Sequence, residues 1–497
     1  LIRRDEVSVA WRKPYSCKGE AFGVRAKHSE NKLGKNREFV ARMLRPYWEK
    51  PRICRPNASP LLEKTENLSP ECFAPTTPEL LALTDIFFRK LYVGMKIKPH
   101  TLDHSFDKIR NCHFIAFQKM TRNGIGIRTA QVRSERLTGQ IHVYDGIGKG
   151  KSQAALGVVL RSIGLGINTP SDSNRVLLLR FLKGPERDYD EDGAIAALQR
   201  GFPHLIDQVR TGRAEFFGHD EITLFDRTEA ARGWDVAKGA IASGLYSVVV
   251  LDEINPVLDL GLLPVDEVVK TLKSKLQELE IIATGRAAPQ QLLDIADLHS
   301  EMKPHHHPTA AELLIEGIEI YTGAGKGKST SALGKALQAI GRGINHPGST
   351  RVLIMQWLKG GSGYTEDAAI AALQQSYPEV VDHQRCGRDA IVWRNSRQDL
   401  DYIEAQRGWE IAKTAIASGV YKTIILDELN PTVDLELLPV DPIVQALLRK
   451  PRDTEIIITG RCQNQPAYFD LASIHSEVYC HKHYANQGVE LKRGVDF

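Results

Sequence analysis

A chain of 497 residues, 42% apolar and 25% charged, has room for two or three domains, each with its own core. It holds no run of about 18 apolar residues, so no membrane span is expected, and its charged N-terminus lacks the compact apolar stretch of a secretory signal peptide. Seven scattered cysteines, none in a CxxC pair, argue against a zinc site and a disulfide framework and favour a reducing, cytoplasmic setting.

The net charge of +4 hides an asymmetry: residues 1–137 hold 27 Lys and Arg against 14 Asp and Glu, near +13, and leave the remainder near −9. A basic arm of this kind suits nucleic acid or a membrane surface, or has no partner at all. Neither nucleic acid nor membrane is expected as a partner of the body. Within 1–137 only Pro78–Lys90 has the apolar spacing of a short helix. Met120 stands shortly before the first motif, and the natural product is expected to begin near it, the upstream part being a basic extension, disordered or not part of the protein. The competing account is an organelle-targeting segment, against which its acidic residues count.

From residue 138 onward short apolar runs alternate with helical spacing. Gln140–Tyr144, Arg175–Phe181, Ser247–Leu251 and Glu280–Ala283 read as buried strands; Ser152–Ile163, Glu229–Ser243 and Val265–Leu276 read as helices. This alternation predicts an α/β fold, a mostly parallel sheet with helices on both faces. The pattern then recurs. Tyr144–Ser152 matches Tyr321–Ser329, Phe181–Gly184 matches Trp357–Gly360, Ala194–Gln199 matches Ala369–Gln374, Leu251–Pro256 matches Leu426–Pro431, and Thr284–Arg286 matches Thr459–Arg461. An offset of 175 to 177 is the size of a domain, not of a solenoid repeat. Copy one is placed at 138–308 and copy two at 315–497. The joint at Lys303–Pro308, with its three histidines, reads as a polar linker rather than a metal site.

In both copies a glycine-rich loop follows the first strand and precedes a helix, the setting of a phosphate-binding P-loop. Gly146, Gly148 and Gly150, with Gly323, Gly325 and Gly327, let backbone N–H groups approach phosphate oxygens closely. The helix N-terminus adds its dipole. Lys151 and Lys328 supply positive charge, Ser152 and Ser329 a hydroxyl for Mg²⁺, and Lys149 and Lys326 a second cation within the loop. The first position of the usual GxxxxGK[ST] spacing is Asp145 or Thr322 rather than glycine. Asp252 and Glu253, with Asp427 and Glu428, close an apolar strand as the second acidic element of a P-loop protein does and are candidates to hold Mg²⁺. A solvated acidic pair is the alternative.

Together these pieces resemble the ATP:corrinoid adenosyltransferases, P-loop proteins of cobalamin biosynthesis and salvage. The likeness rests on Gly146–Ser152, Phe181–Gly184, Asp252–Asn255, Leu262–Val268 and Thr284–Arg286, and on Gly323–Thr330, Trp357–Gly360, Asp427–Asn430, Leu437–Val444 and Thr459–Arg461. Ala296–Met302 and Ala472–Val478 are similar to the family's last strand, and only copy two keeps the family's ending, Gly488–Asp496. The resemblance implies transfer of the 5′-deoxyadenosyl group of ATP to the Co(I) of a reduced corrinoid, with triphosphate leaving and Mg²⁺ as cofactor. It implies ATP contacts from Ser152, Arg161, Ser329 and Thr330 and from the loop glycines, and catalysis by Lys149, Lys151, Lys326 and Lys328. A flavoprotein or other reductant is an expected partner, and the two copies are expected to pack as a pseudo-dimer. Phe217, Trp393, Arg286 and Arg461 are candidates for the corrinoid; core packing for the aromatics, Phe216 among them, and surface salt bridges for the arginines are the competing accounts. No Ser-His-Asp or Cys-His set is found, which suits a substrate metal that is itself the nucleophile.

Two other functions share the same loops. An ATPase or kinase would cleave at the γ-phosphate, with Glu253 or Glu428 orienting water. A non-catalytic module would bind ATP as a sensor or deliver corrinoid to another protein. The copies also differ: Arg161 stands where copy two has Gln338, and Gln356 where copy one has Arg180.

Overall fold

The computed structural model describes residues 138–169, 174–213, 215–306, 317–361 and 363–497. The expectations about 1–137, Pro78–Lys90 and Met120 included, lie outside them. Copy one runs β1 (Ile141–Asp145), α1 (Lys151–Asn168), β2 (Arg175–Arg180), α2 (Glu191–Gly201), β3 (Ile206–Arg210), α3 (Leu224–Ser243), β4 (Tyr246–Asp252), α4 (Ile254–Asp259), α5 (Val265–Lys273), β5 (Glu280–Thr284), α6 (Gln290–Ile295) and β6 (Leu298–His306). Copy two repeats this as β7 (Ile318–Thr322), α7 (Lys328–Asn345), β8 (Val352–Gln356), α8 (Glu366–Ser376), β9 (Val381–Arg385), α9 (Asp399–Ser418), β10 (Thr423–Asp427), α10 (Leu429–Asp434), α11 (Val440–Leu448), β11 (Glu455–Thr459) and β12 (Ile474–Lys482), with a short 3₁₀ turn in place of α6. No helix among the described residues is long and apolar enough to cross a membrane.

All twelve strands form one sheet, ordered β3-β2-β4-β5-β1-β6-β12-β7-β11-β10-β8-β9. Each half is parallel; the halves meet at the antiparallel pair β6–β12, where Met302 opposes its counterpart Val478. Strands β2, β4, β8 and β10 carry near-continuous apolar runs because both faces are covered. In β2, Val176 and Leu178 face one core while Leu177 and Leu179 face another. The first core is shared: α1, α2, α7 and α8 contribute to it from both copies. On the opposite face each copy keeps its own core, under α3, α4 and α5 in copy one and under α9, α10 and α11 in copy two.

Helices α1 and α7 touch backbone to backbone at the shared core. A Cβ on Gly157 would lie 2.0 Å from the Thr330 carbonyl oxygen, and one on Gly334 would lie 1.9 Å from that of Gln153. Only glycine admits this approach. One turn pair further on, Gly164 and Gly341 do the same against the chain entering the opposite copy's α8 and α2.

The sequence pattern missed α2, α8 and the edge strands β3 and β9, whose half-buried, polar stretches Ile-Asp-Gln-Val-Arg and Val-Asp-His-Gln-Arg lack an apolar run. The presumed linker at Lys303–Pro308 also needs correction. Residues 303–306 extend β6, because β12 gives that stretch a pairing partner. His305 lies 2.8 Å from the Glu477 carboxylate and stacks on His475, while its pseudo-symmetric counterpart His481 stacks on His299. Among the described residues no group of three or more His, Cys, Asp or Glu is arranged to hold a metal ion.

Candidate active sites of the two copies

Each parallel half ends its central strands on one edge, and the candidate chemistry lies there, where ligands of open α/β sheets bind. The loop after β1 turns back at Gly146 and Gly150, whose positive φ angles of 98° and 116° suit glycine alone. Gly148 N–H donates to the Met302 carbonyl (2.8 Å), and in copy two Gly325 N–H donates to that of Val478 (2.7 Å). Thus β6 and β12, the strands that join the copies, also hold their loops. Helices α1 and α7 begin without a side-chain cap, leaving first-turn N–H groups for an anion.

Lys151 Nζ donates to the Gly148 carbonyl and Lys328 Nζ to that of Gly325, each at 2.6 Å, so both ammonium groups sit within their own loops. Burial lowers the pKa of Lys151. Burial, aided by the nearby Arg461 and opposed by Glu428, brings Lys328 down to about 8. A bound triphosphate would reverse that penalty.

At the end of β4, buried Asp252 accepts from Thr284 Oγ1 (2.6 Å) and Lys183 Nζ (2.5 Å). At the end of β10, Asp427 accepts from Thr459 Oγ1 (2.5 Å), Lys359 Nζ (2.5 Å) and Gln356 Nε2 (2.9 Å). Burial alone would raise both carboxyls, but the lysine ammonium and these hydrogen bonds hold them below their ordinary range. The next residue reverses the chain in left-handed conformation, φ 63° at Glu253 and 62° at Glu428. That turn brings Glu253 Oε1 to 3.4 Å from Ser152 Oγ and Glu428 Oε1 to 3.0 Å from Ser329 Oγ. Burial and the Asp252 charge push Glu253 up. Leu182 and Leu358 are also left-handed, at φ 54° and 57°, and each precedes the lysine that meets the aspartate. Strain at matched non-glycine positions in both copies marks backbone that the surroundings hold in place.

Lys183, Lys359, Thr284, Thr459 and Gln356 were not singled out as site residues from sequence. The signal was present, since the Leu-Lys-Gly and Thr-Gly-Arg repeats carry four of the five.

The expected site residues divide accordingly. Lys151, Ser152, Asp252 and Glu253 converge, as do Lys328, Ser329, Asp427 and Glu428. Beside the first set lies a cavity of about 690 Å³ whose lining includes Lys183, Tyr189, Phe216, Phe217, Glu253 and Arg286. Phe217 stacks under the Arg213 guanidinium. In copy two, Arg461 donates to the loop carbonyl of Ala324 (3.1 Å), and Trp393 is 64% exposed. Three residues are held elsewhere. Arg161 is buried against Glu366 of copy two, Lys326 Nζ is 2.6 Å from Asp496 of the C-terminal segment, and Lys149 Nζ is 4.0 Å from Glu319 of copy two. Thr330 is buried where α7 crosses α1, with its carbonyl against Gly157.

Comparison with known proteins agrees with this duplication. The family model described as ATP:corrinoid adenosyltransferase BtuR/CobO/CobP matches residues 137–319 and again 314–497. A corrinoid adenosyltransferase of Escherichia coli (strain K12) is 31% identical over 181 residues, 36% of this chain and 85% of that protein. The corrinoid adenosyltransferase CobA of Salmonella typhimurium is 30% identical over 181 residues, again 36% of this chain and 85% of that protein. An uncharacterized protein of Nostoc sp. (strain PCC 7120) is 93% identical over 378 residues, 76% of this chain and all of that protein.

Proposed function

The chain belongs to the ATP:corrinoid adenosyltransferase family, and from that premise we propose that it transfers the 5′-deoxyadenosyl group of ATP to the Co(I) centre of a reduced corrinoid and releases triphosphate. The observation that carries the reading is the convergence, twice in one chain, of a loop lysine, a helix N-terminus and a Ser–Glu pair, with an aromatic cavity opening directly beside the set in copy one.

The substrate cobalt is the nucleophile, so the protein need not supply one. Its task is to align the 5′-carbon of ATP with the cobalt and to stabilise the departing triphosphate. Lys151 and Lys328, with the first-turn N–H groups of α1 and α7, grip phosphate. Phe217 and Arg286 line the place for the broad, amide-fringed corrin ring in copy one. Arg461 and Trp393 stand at the corresponding rim of copy two.

The oxygen donors fit a hard divalent cation such as Mg²⁺. Ser152 with Glu253, and Ser329 with Glu428, face each other within 3.4 Å and 3.0 Å. Because Asp252 and Asp427 are already bonded to lysine, the Ser–Glu pairs would hold the ion and the aspartates would orient Lys183 and Lys359. When bound, Mg²⁺ neutralises charge on the triphosphate.

The test is anaerobic incubation with Mg²⁺, ATP and a chemically reduced corrinoid, following the absorbance change of cobalt–carbon bond formation and the phosphate products. Adenosylated corrinoid with intact triphosphate is expected. ADP and phosphate without adenosylation would replace this reading by an ATPase, and bound but unconsumed ATP would replace it by a sensor or carrier.

A further inference from the structure

Where α2 and α8 begin, each copy buries a glutamate whose charge reaches the lysine of its acidic centre, Glu191 toward Lys183 in copy one and Glu366 toward Lys359 in copy two, 3% and 0% exposed. A buried carboxylate needs a cation. Glu366 receives one from the other copy: Arg161 of α1 reaches across the shared core, with Nε 3.2 Å from Glu366 Oε2, and is itself 4% exposed. The equivalent residue of α7 is Gln338, which meets Glu191 with a neutral amide at 3.2 Å. Copy one makes up the charge from within, since Arg180 at the end of β2, fully buried, binds Glu191 at 2.8 Å and also pairs with Asp192. Copy two has Gln356 at that position, free to donate to Asp427.

The chain therefore carries a compensated exchange. Each glutamate has one arginine, delivered in cis to Glu191 and in trans to Glu366. Two arginines would crowd one carboxylate, and two glutamines would leave it with no arginine bonded to it. Arg161 also donates to the Asp496 carbonyl (2.7 Å), and Arg210 and Arg385 pair with Asp192 and Asp367, the neighbours of the two glutamates. Glu366 in turn lies in the field of Lys359 and Asp427.

We infer that Arg161 is a positioning residue for the copy-two site, acting through Glu366 across the domain boundary, while Arg180 does the same work inside copy one, so that for this arginine copy two depends on copy one and not the reverse. The inference rests on the proposal that both loops bind ATP.

The test uses the full chain and ATP–Mg²⁺ binding by calorimetry, with one loop silenced at a time. With Lys151→Ala, only copy two is read; there Arg161→Gln should weaken ATP binding about tenfold. With Lys328→Ala, only copy one is read, and Arg161→Gln should change binding less than twofold. Arg180→Gln should show the opposite pattern. The double exchange Arg180→Gln with Gln338→Arg restores one arginine per glutamate, now in trans, and should recover copy-one binding to within about twofold of the parent. This rescue keeps the idea testable where Arg161→Gln fails to fold, since a merely structural loss at position 180 has no reason to be repaired from α7. Equal losses in both backgrounds, or no rescue by Gln338→Arg, would overturn the inference. Absence of ATP binding in the parent chain would instead overturn the functional reading on which it rests.

Discussion

Copy one and copy two share the left-handed turns at Leu182 and Leu358 and at Glu253 and Glu428, yet they surround the same acidic group differently. Asp252 accepts from Thr284 and Lys183, whereas Asp427 accepts from Thr459, Lys359 and Gln356. Copy one opens a cavity beside its loop, lined by Phe217 and Arg286. In copy two the loop that bears Trp393 is tied down by Arg394 and Arg397, both on Glu436 at 2.8 and 2.9 Å. Copy one has His219, Ile222 and Gly261 at those places and lacks the tie. The two copies keep the same loop lysine and Ser–Glu pair and differ in what surrounds them.

The largest effect that would sharpen this comparison is loss of the loop lysines. Lys151→Ala and Lys328→Ala should each remove one of two ATP sites, and the variant of the productive copy should lose about 100-fold or more in adenosyl transfer, as for removal of a charged group aimed at the leaving group. Equal, partial losses from both would mean that the copies contribute alike. The helix crossing comes next. Gly157→Val should cost about 3 kcal/mol or more, read as a lowered denaturant midpoint, because its Cβ has nowhere to go. Unfolding should remain a single transition, since the first core belongs to both copies; two separated transitions would break the picture of a joined pair.

Smaller effects separate the rims. Phe217→Ala should weaken corrinoid binding about five- to tenfold, while Trp393→Ala, at an exposed position, should change it less than twofold. The reverse order would place the corrinoid in copy two. Last is a pH signature. With Lys328 at about 8 when folded and near its ordinary value when unfolded, the unfolded chain binds more protons between about pH 8 and 10.5. Stability should therefore rise with pH through that window, and Lys328→Met should abolish the rise. ATP should be taken up with a fraction of a proton near pH 8.5, seen as a buffer-dependent heat of binding, and Lys328→Met should remove this as well.

The sequence made much of this visible because its motifs are local. A glycine loop between strand and helix, or an acidic pair after an apolar run, can be found within ten residues, and so Lys151, Ser152, Glu253 and their counterparts could be named as candidates, which the structure brings together. Arg161, named as an ATP contact, is the opposite case, since the structure places it against Glu366. Its partner Glu366 is 205 positions away, and nothing near Arg161 distinguishes a helix face that meets ATP from one that meets a neighbouring copy. Lys326, in the loop but held by Asp496, was hidden in the same way. Lys183 and Thr284 fall between the two cases, repeated in both copies but given meaning only when the β4 end brings them to Asp252. The edge strands escaped because exposure had erased their apolar pattern.

The antiparallel seam at β6 and β12 has one more consequence. Two identical subunits joined through such a seam share a single set of letters, and any residue chosen for one side is imposed on the other. With both sides written in one chain, the letters are independent, and a change on α1 can be answered on β2 without being copied to α7. The exchange of arginine and glutamine between positions 161, 180, 338 and 356 could not be spelled in a homodimer. A fused pair is free to become a lock and its key, where a symmetric pair must remain two halves of the same shape.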